Sequence, residues 1–387
     1  MFFKRVSGLV LVVLSIGLLA ACSSAPTPAE QKAAPAQEEA APAPAEEAAP
    51  AEEAAPAPAE EAAPAEEEVA KEESQVVEEP VAQNGEAPGA GARHVCAIGG
   101  ADAFFAVVKN GADLAGSLVT AAGSEYTWIP LPNYDNIGPD MVKLIEQAVA
   151  QGCTSLAVPV WDGAAQAPAL AAATAAGVKV FMYNSGLPLL EDGTIEAYGY
   201  YGTDEWKAGV AAGEYFATHG SKNVRCVNTQ PGAVNWQQRC GGLIEGATAN
   251  GAQADEIIMP AETFGDAAAI SAAVQAALAK DPTIDGFATG SAADADAVGE
   301  ALGVMGATAQ QGGWDVSVNI INRIIDGEAL FAVDQQGWYQ GWLAVSQTWL
   351  YDQFAILPAD PVILTGPALI TADNAEVVLA GVEDGYR

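Results

Sequence analysis

Aromatic, carboxylate and amide side chains follow several of the predicted strands of this 387-residue chain. Open α/β sheets bind ligands at the carboxyl ends of their strands, so these side chains are candidates for one shared site. Aromatic faces suit the C–H groups of a sugar ring, and planar polar groups bond its hydroxyls in pairs. The candidates are Asp102, Phe104, Phe105, Trp161, Asp162, Asn184, Ser185, Asn235, Trp236, Gln237, Arg239, Phe264, Asp294, Asp315 and Gln335.

The elements that must position these residues begin near residue 94, where short apolar runs alternate with Ala-rich stretches. The apolar runs predict strands at 95–98, 126–131, 155–160, 178–183, 224–228, 256–259, 286–289 and 330–333. The stretches between them predict helices at 104–121, 140–151, 164–176, 204–219, 235–250, 267–280, 294–302 and 318–326. Such alternation predicts parallel sheets with helices on both faces.

The repeat of the helix–Gly–strand unit before and after Gly202 indicates two similar α/β lobes. Glycines at the expected C′ positions support the helix ends, since the left-handed conformation costs glycine little. These glycines are Gly152, Gly177, Gly220 and Gly251. A further strand is expected near 307–313, but that segment is short of β-forming residues.

The charge is strongly acidic, with 15 Lys and Arg against 50 Asp and Glu and a net charge of −35. Residues 23–90 carry 2 Lys and 17 Glu, a net −15, and residues 91–387 carry 11 basic and 33 acidic residues, a net −22. Neither part has the basic surface that nucleic-acid binding requires, and an anionic membrane surface would repel the body of the protein. A neutral ligand is favoured over an anionic one.

The first 92 residues predict export and anchoring rather than a folded domain. Residues 1–21 contain two cations, a short apolar run and small residues before Cys22, which is typical of a bacterial lipoprotein signal peptide. An acylated Cys22 would anchor the chain to a lipid bilayer, and the mature protein is expected on the outer side of the cytoplasmic membrane. The Ala/Pro/Glu-rich segment 22–92 repeats 14 residues at 41–54 and 55–68, and it predicts a disordered tether.

Four cysteines remain after Cys22, and an even number in an exported chain favours disulfides with three possible pairings. Cys226 and Cys240 lie in adjacent predicted elements and are the preferred pair. Cys96 and Cys153 precede two strands expected to be neighbours, although free buried thiols are an equal alternative for them. The cysteines show no CxxC spacing and the chain has two histidines, so neither a zinc site nor another metal site is expected.

Catalytic motifs are missing from the sequence, which contains no GxSxG elbow, no GxxxxGK loop and no HExxH helix. The Gly99-Gly100 pair is at most a fragment of a dinucleotide-binding loop, so no cofactor is expected. Asp294 and Asp296 could serve as the carboxylate pair of a glycosidase. Their position at a predicted helix start is better explained by capping. The sequence therefore favours a binding protein over an enzyme.

Several motifs give residues 93–372 a family resemblance. They are 100–105 (GADAFF), 144–148 (LIEQA), 201–205 (YGTDE), 235–242 (NWQQRCGG), 314–317 (WDVS), 330–336 (LFAVDQQ) and 364–367 (LTGP). With these motifs the chain resembles the substrate-binding proteins of sugar ABC transporters, of the ribose-binding type with the type I periplasmic-binding fold.

The resemblance implies two doubly wound lobes that are joined by three crossovers and close on a sugar. The expected lobes are 93–201 with 337–363 and 202–336 with 364–387. The family pattern implies that Phe104 and Phe105 cover one face of the sugar and that Phe264 covers the other. It also makes Asp315 and Gln335 polar ligands of the second lobe and hinge.

Three departures from the family pattern put ribose itself in doubt. The Asp-Arg that often follows the fourth strand is replaced by Asn184-Ser185. The ligand-binding arginine of ribose binders falls on Gln237, while Arg239 matches a neighbouring arginine. The usual Asn-Asp is replaced by residues 291–294 (SAAD).

The expected function is capture of a neutral simple sugar, without cofactor or metal, and its delivery as a monomer to an ABC permease. One alternative is a binding protein that senses a sugar or autoinducer for a membrane receptor. Another is a nucleoside binder of the same fold.

Overall fold

The computed structural model describes residues 91–387, and these residues form two six-stranded sheets. The predicted signal peptide, Cys22 and the tether up to residue 90 lie outside the described residues. The strands are β1 His94–Gly99, β2 Glu125–Pro130, β3 Ser155–Val158, β4 Lys179–Asn184, β5 Tyr200–Thr203, β6 Asn223–Asn228, β7 Gln253–Ile258, β8 Gly286–Thr289, β9 Gln310–Trp314, β10 Phe331–Asp334, β11 Val362–Gly366 and β12 Ala368–Ile370.

Helices connect successive strands, as parallel pairing requires, except between β11 and β12, which follow each other directly. They are α1 Ala103–Ala121, α2 Ile137–Ala150, α3 Gly163–Ala175, α4 Leu187–Glu191, α5 Glu205–Thr218, α6 Val234–Ala249, α7 Ala267–Lys280, α8 Ala292–Met305, α9 Val318–Ile325, α10 Gly337–Phe354 and α11 Ala375–Glu383. Many begin at an Asp or Ser whose side chain accepts a backbone N–H of the first turn, as Asp102 and Ser291 do for α1 and α8.

The two sheets share one topology. The first has the order β11-β5-β4-β3-β1-β2 and the second has the order β12-β10-β9-β8-β6-β7. The pairs within the first sheet are parallel, and β12 runs antiparallel to β10 in the second. The chain crosses between the lobes after β5, after β10 and after β11, which confirms the two-lobed doubly wound fold with three crossovers.

Two crossovers lie slightly later in the chain than the predicted lobe boundaries. Strand β5 continues to Thr203 and pairs with β4 through Gly202, and β11 continues to Gly366 in the first sheet. The boundaries at 201/202 and 363/364 therefore fall within strands, because short polar or glycine-containing strand ends carry little sequence signal.

The Gly-rich strand β9 forms despite its composition. It pairs with β8 and β10 on its two sides, and Gly312 lies where an added Cβ would be 2.4 Å from the Phe331 ring. A larger residue would collide with this ring, so packing rather than β-propensity selects glycine here. Strands β5, β11 and β12 and helices α4, α10 and α11 were not among the predicted elements.

The preferred Cys226–Cys240 disulfide is present in the structure, and so is the Cys96–Cys153 bond, for which free thiols were an equal alternative. Cys226 of β6 is bonded to Cys240 of α6, and Cys96 of β1 is bonded to Cys153, which precedes β3. The latter pair lies beside His94, but its sulfurs are consumed by the bond and are not free to ligate a metal. Within residues 91–387, no helix has the length and apolar character needed to cross a membrane.

Candidate functional site

A cavity lies between the lobes where the carboxyl ends of the two sheets face each other. The space between its walls, including the part open to solvent, is about 410 Å³. The predicted residues that line it are Asp102, Phe104, Phe105, Trp161, Asn184, Asn235, Trp236, Arg239, Phe264, Asp315 and Gln335. Because the carboxyl ends of the parallel strands meet at the cavity, side chains from distant parts of the sequence lie together there.

Aromatic rings of the first lobe form one side of the cavity. Phe105 packs edge-on against Phe104, with ring centroids 5.2 Å apart, and against Trp161 at 5.5 Å. Phe105 and Trp161 are almost fully buried, whereas Phe104 is half-buried. These rings offer apolar faces to a ligand and hold one another in place.

The second lobe closes against this wall through two contacts. The Phe264 ring lies 5.0 Å from the Tyr134 ring of the first lobe. The Val234 N–H donates to the Trp161 carbonyl at 2.9 Å. The structure therefore has the two lobes in direct contact at the cavity.

Asp102 connects the cavity to the start of α1. Its Oδ1 accepts the Phe105 N–H at 2.9 Å, and its Oδ2 accepts the Tyr134 hydroxyl at 3.1 Å. Burial raises the pKa of the Asp102 carboxyl, and these two hydrogen bonds oppose the rise. The result is a fixed carboxylate with lone pairs left for a ligand hydroxyl.

Asp315 is a second buried carboxyl, at the end of β9. Its backbone has φ of 65°, a left-handed conformation held by the bond from its N–H to the Val333 carbonyl. The Gln335 side-chain amide donates to its Oδ1. Burial raises the pKa of Asp315 to about 7, although Arg239 and Gln335 act in the opposite direction. Near neutral pH this group can therefore serve as donor or acceptor.

Arg239 supplies the positive charge of the cavity. Its Nε and Nη2 donate to the two carboxylate oxygens of Glu205, and its Nη1 donates to the Gly290 carbonyl. Burial acts to lower the pKa of Arg239, but the Glu205 carboxylate outweighs this effect and keeps the pKa raised. The guanidinium is also 5.8 Å from the Trp314 ring, so its orientation is fixed before any ligand arrives.

Three amide oxygens at the cavity are buried and have no hydrogen-bond partner among the described residues. They are Asn184 Oδ1, Asn235 Oδ1 and Gln335 Oε1. Each is an acceptor, and an unsatisfied buried acceptor costs about 1–3 kcal/mol. Together with the Asp102 and Asp315 carboxyls they make the cavity rich in acceptors. A ligand with several hydroxyl donors would satisfy them.

Four predicted site residues lie outside the cavity lining. Ser185 is buried, and its hydroxyl donates to the Val160 carbonyl at 2.7 Å. Asp162 caps α3 and lies in a neighbouring groove. Gln237 is exposed, with its Nε2 3.3 Å from the Pro231 carbonyl. Asp294 lies behind the cavity, where it accepts the Thr229 hydroxyl and the Gly265 N–H. Local hydrogen bonds hold Asp162, Ser185 and Asp294 away from the cleft, and the helix phase of α6 exposes Gln237 to solvent.

Six lining residues were not predicted from the sequence. They are Tyr134, Ile137, Gln230, Ala233, Gly290 and Ser291. Tyr134 follows β2, so the same carboxyl-end rule applied to that strand would have found it. Gly290 lines the cavity through its backbone, which gives no sequence signal, and the Ser291 hydroxyl is used to cap α8.

Two lobes, three crossovers and a polar and aromatic cavity between the lobes define a two-lobed solute-binding protein. The chain belongs to the periplasmic binding protein domain family, whose profile matches residues 95–353. Membership in this family confirms the prediction of a type I binding protein rather than an enzyme.

Individual relatives agree with this assignment. The chain is 28% identical over 257 residues to the xylose/arabinose-binding protein XylF of Sulfolobus acidocaldarius. The aligned region covers 62% of this chain and 62% of that protein. A carbohydrate transporter structure from Acidothermus cellulolyticus 11B, in complex with myo-inositol, has a TM-score of 0.68 and 27% identity. That match covers 77% of this chain and 100% of the other.

A second solved structure is an ABC transporter solute-binding protein from Burkholderia graminis C4D1M in complex with D-arabinose. It has a TM-score of 0.64 and 25% identity, and it covers 73% of this chain and 96% of the other. The similarity to both structures spans the two lobes.

Proposed function

We propose that the chain binds a neutral simple sugar or cyclic polyol between its lobes and delivers it to an ABC permease. The observation that carries this proposal is the set of three unpartnered amide oxygens in a cavity walled by aromatic rings. The names of the relatives, which refer to xylose, arabinose and myo-inositol, support the same ligand class.

The charge of the cavity supports a neutral ligand. Arg239 is already paired with Glu205, so its charge is compensated before a ligand binds. Asp102 and Asp315 add carboxyl groups without a second cation beside them among the cavity-lining residues. An anionic ligand would meet uncompensated negative charge, whereas hydroxyls can donate to these oxygens.

We assign ligand contact to the eleven predicted residues that line the cavity, with Gln230 added from its geometry. Asp162, Ser185, Gln237 and Asp294 are assigned supporting or surface roles. The contacts of Phe104, Phe105 and Phe264 would cover the two faces of a sugar ring.

The proposed location is outside the cytoplasmic membrane, with the chain anchored as a monomer through an acylated Cys22. This part of the proposal is supported by the lipoprotein-type signal before Cys22 and by the Ala/Pro/Glu-rich segment that follows it. Mass spectrometry of membrane-extracted protein would detect the acyl chains on Cys22. Cys22→Ala should release the protein from the membrane fraction.

Isothermal titration calorimetry with pentoses, hexoses, inositols and nucleosides tests the ligand class. We expect binding by at least one neutral sugar or inositol, and no binding of the corresponding sugar phosphates. Failure of every sugar and inositol to bind would contradict the proposal. Binding of a nucleoside alone would favour the alternative ligand.

A further inference from the structure

Tyr134 has two sets of contacts that place it between ligand binding and lobe closure. It lies in the loop between β2 and α2 and is part of the cavity wall. Its hydroxyl contacts the first lobe at Asp102, and its ring contacts the second lobe at Phe264.

The hydroxyl of Tyr134 is fixed from two sides. It donates to Asp102 Oδ2 at 3.1 Å and accepts the Ala101 N–H at 3.1 Å. Gly100 makes this possible, because a Cβ there would lie 2.0 Å from the hydroxyl oxygen. Oδ1 of Asp102 caps α1 and Oδ2 accepts the Tyr134 hydroxyl, so Tyr134 fixes the oxygen that does not cap the helix.

The ring of Tyr134 has a different role. It packs edge-on against Phe264 at 5.0 Å and against Trp161 at 5.9 Å. Phe264 follows β7 in the second lobe, so the contact with Tyr134 exists only when the lobes are together. The Tyr134–Phe264 pair therefore adds to the apolar surface that is buried when the two lobes close.

We propose that Tyr134 is a positioning residue that holds the Asp102 carboxylate toward the ligand and links this contact to lobe closure through Phe264. The inference rests on the proposed sugar-binding function and adds a residue that sets affinity without needing to bond the ligand. The hydroxyl accounts for the positioning of Asp102 and the ring for the link to closure, so the two roles can be tested separately.

The hydroxyl is tested with Tyr134→Phe, which keeps the ring. We expect Tyr134→Phe to bind the sugar about tenfold more weakly than the unmodified chain does, because the variant lacks the hydrogen bond to the Asp102 carboxylate. The matched control is Tyr126→Phe, because Tyr126 bonds Asp113 outside the cavity. Its affinity should equal that of the unmodified chain.

A double-mutant cycle separates positioning from general structural damage. Asp102→Ser keeps a side chain that can cap α1 but removes the carboxylate. If Tyr134 acts through Asp102, adding Tyr134→Phe to Asp102→Ser should cause almost no further loss of affinity. Additive losses in the double variant would overturn the positioning role.

The ring is tested with Tyr134→Ala, measured by small-angle X-ray scattering with saturating sugar. We expect a larger radius of gyration than for the sugar-bound unmodified chain, while Tyr134→Phe should close normally. Full closure of Tyr134→Ala would overturn the link to Phe264. If the unmodified chain binds a sugar and Tyr134→Phe binds it equally well, the inference alone fails. If the unmodified chain binds no sugar, both the inference and the proposed function fail.

Discussion

Arg239 of α6 and Glu205 at the start of α5 form a two-point ion pair beside the interlobe cavity. Both side chains are almost completely buried, with 3% and 5% of their surfaces exposed. The pair joins the two helices of the second lobe that lie nearest the first crossover. It therefore stabilises the lobe and also fixes the guanidinium that faces the ligand.

Removal of one partner should destabilise the protein strongly. For Glu205→Ala we expect a loss of about 3–5 kcal/mol in the free energy of unfolding, because a guanidinium would be left buried without its counter-charge. Urea denaturation measures this loss. Glu214→Ala is the matched control, since Glu214 is exposed on the same helix and should change stability by about 0.5 kcal/mol or less. Equal effects of the two substitutions would contradict the assigned role of the pair.

Asp315 should make the stability of the unliganded protein depend on pH. Its pKa is about 7 in the folded state against 3.8 for the ordinary side chain. Between these values the folded state binds more protons at Asp315 than the unfolded state does. The contribution of Asp315 to stability is therefore greatest below about pH 4 and is lost as pH rises to 7. Each pH unit costs about 1.4 kcal/mol, an upper bound for a group in contact with other charges.

The comparison of unmodified protein with Asp315→Asn by urea denaturation at several pH values isolates this contribution. Other titrating groups affect both proteins, so the difference in unfolding free energy should shift in favour of the Asn variant from pH 4 to pH 7. A difference that stays constant over this range would show that Asp315 has an ordinary pKa.

Asn235 and Gln237 offer a matched pair in the first turns of α6. Asn235 lines the cavity with an unpartnered, buried Oδ1, whereas Gln237 is exposed. We expect Asn235→Ala to weaken sugar binding by about 1 kcal/mol, roughly fivefold, through loss of one hydrogen bond. Gln237→Ala should leave affinity unchanged. Calorimetry that found the larger loss in Gln237→Ala would favour the position suggested by the family pattern over the cavity geometry.

Glycine-to-alanine substitutions at two positions should have opposite effects. In β9, Gly312→Ala places a methyl group against the Phe331 and Phe216 rings and should cost about 1–3 kcal/mol. In α8, Gly303 is exposed with nothing within 4 Å of an added Cβ, so Gly303→Ala should stabilise by about 0.5–1 kcal/mol. Thermal unfolding measures both changes, and a neutral Gly312→Ala would show that β9 has room to adjust.

Much of the fold could be predicted because its strands and helices have strong local signals. The apolar runs of β1, β4 and β6 are buried on both faces, so they appear in the sequence as short continuous stretches. Strand β9 could not be recognised in this way. Gly312 is selected by the rings of Phe216 and Phe331, which belong to other elements, and local propensity does not record such contacts.

The candidate site was likewise predictable in part. The sequence by itself determined the two lobes, the kind of side chains at the strand ends and the acidic balance of the chain, because periodicity and composition are local properties. The tertiary structure decided which of those side chains face the cavity. Gln237 and Asp294 point elsewhere, while Tyr134 reaches Asp102 and Phe264. Side-chain direction depends on helix phase and on the approach of the second lobe, and both arise only when the chain is packed.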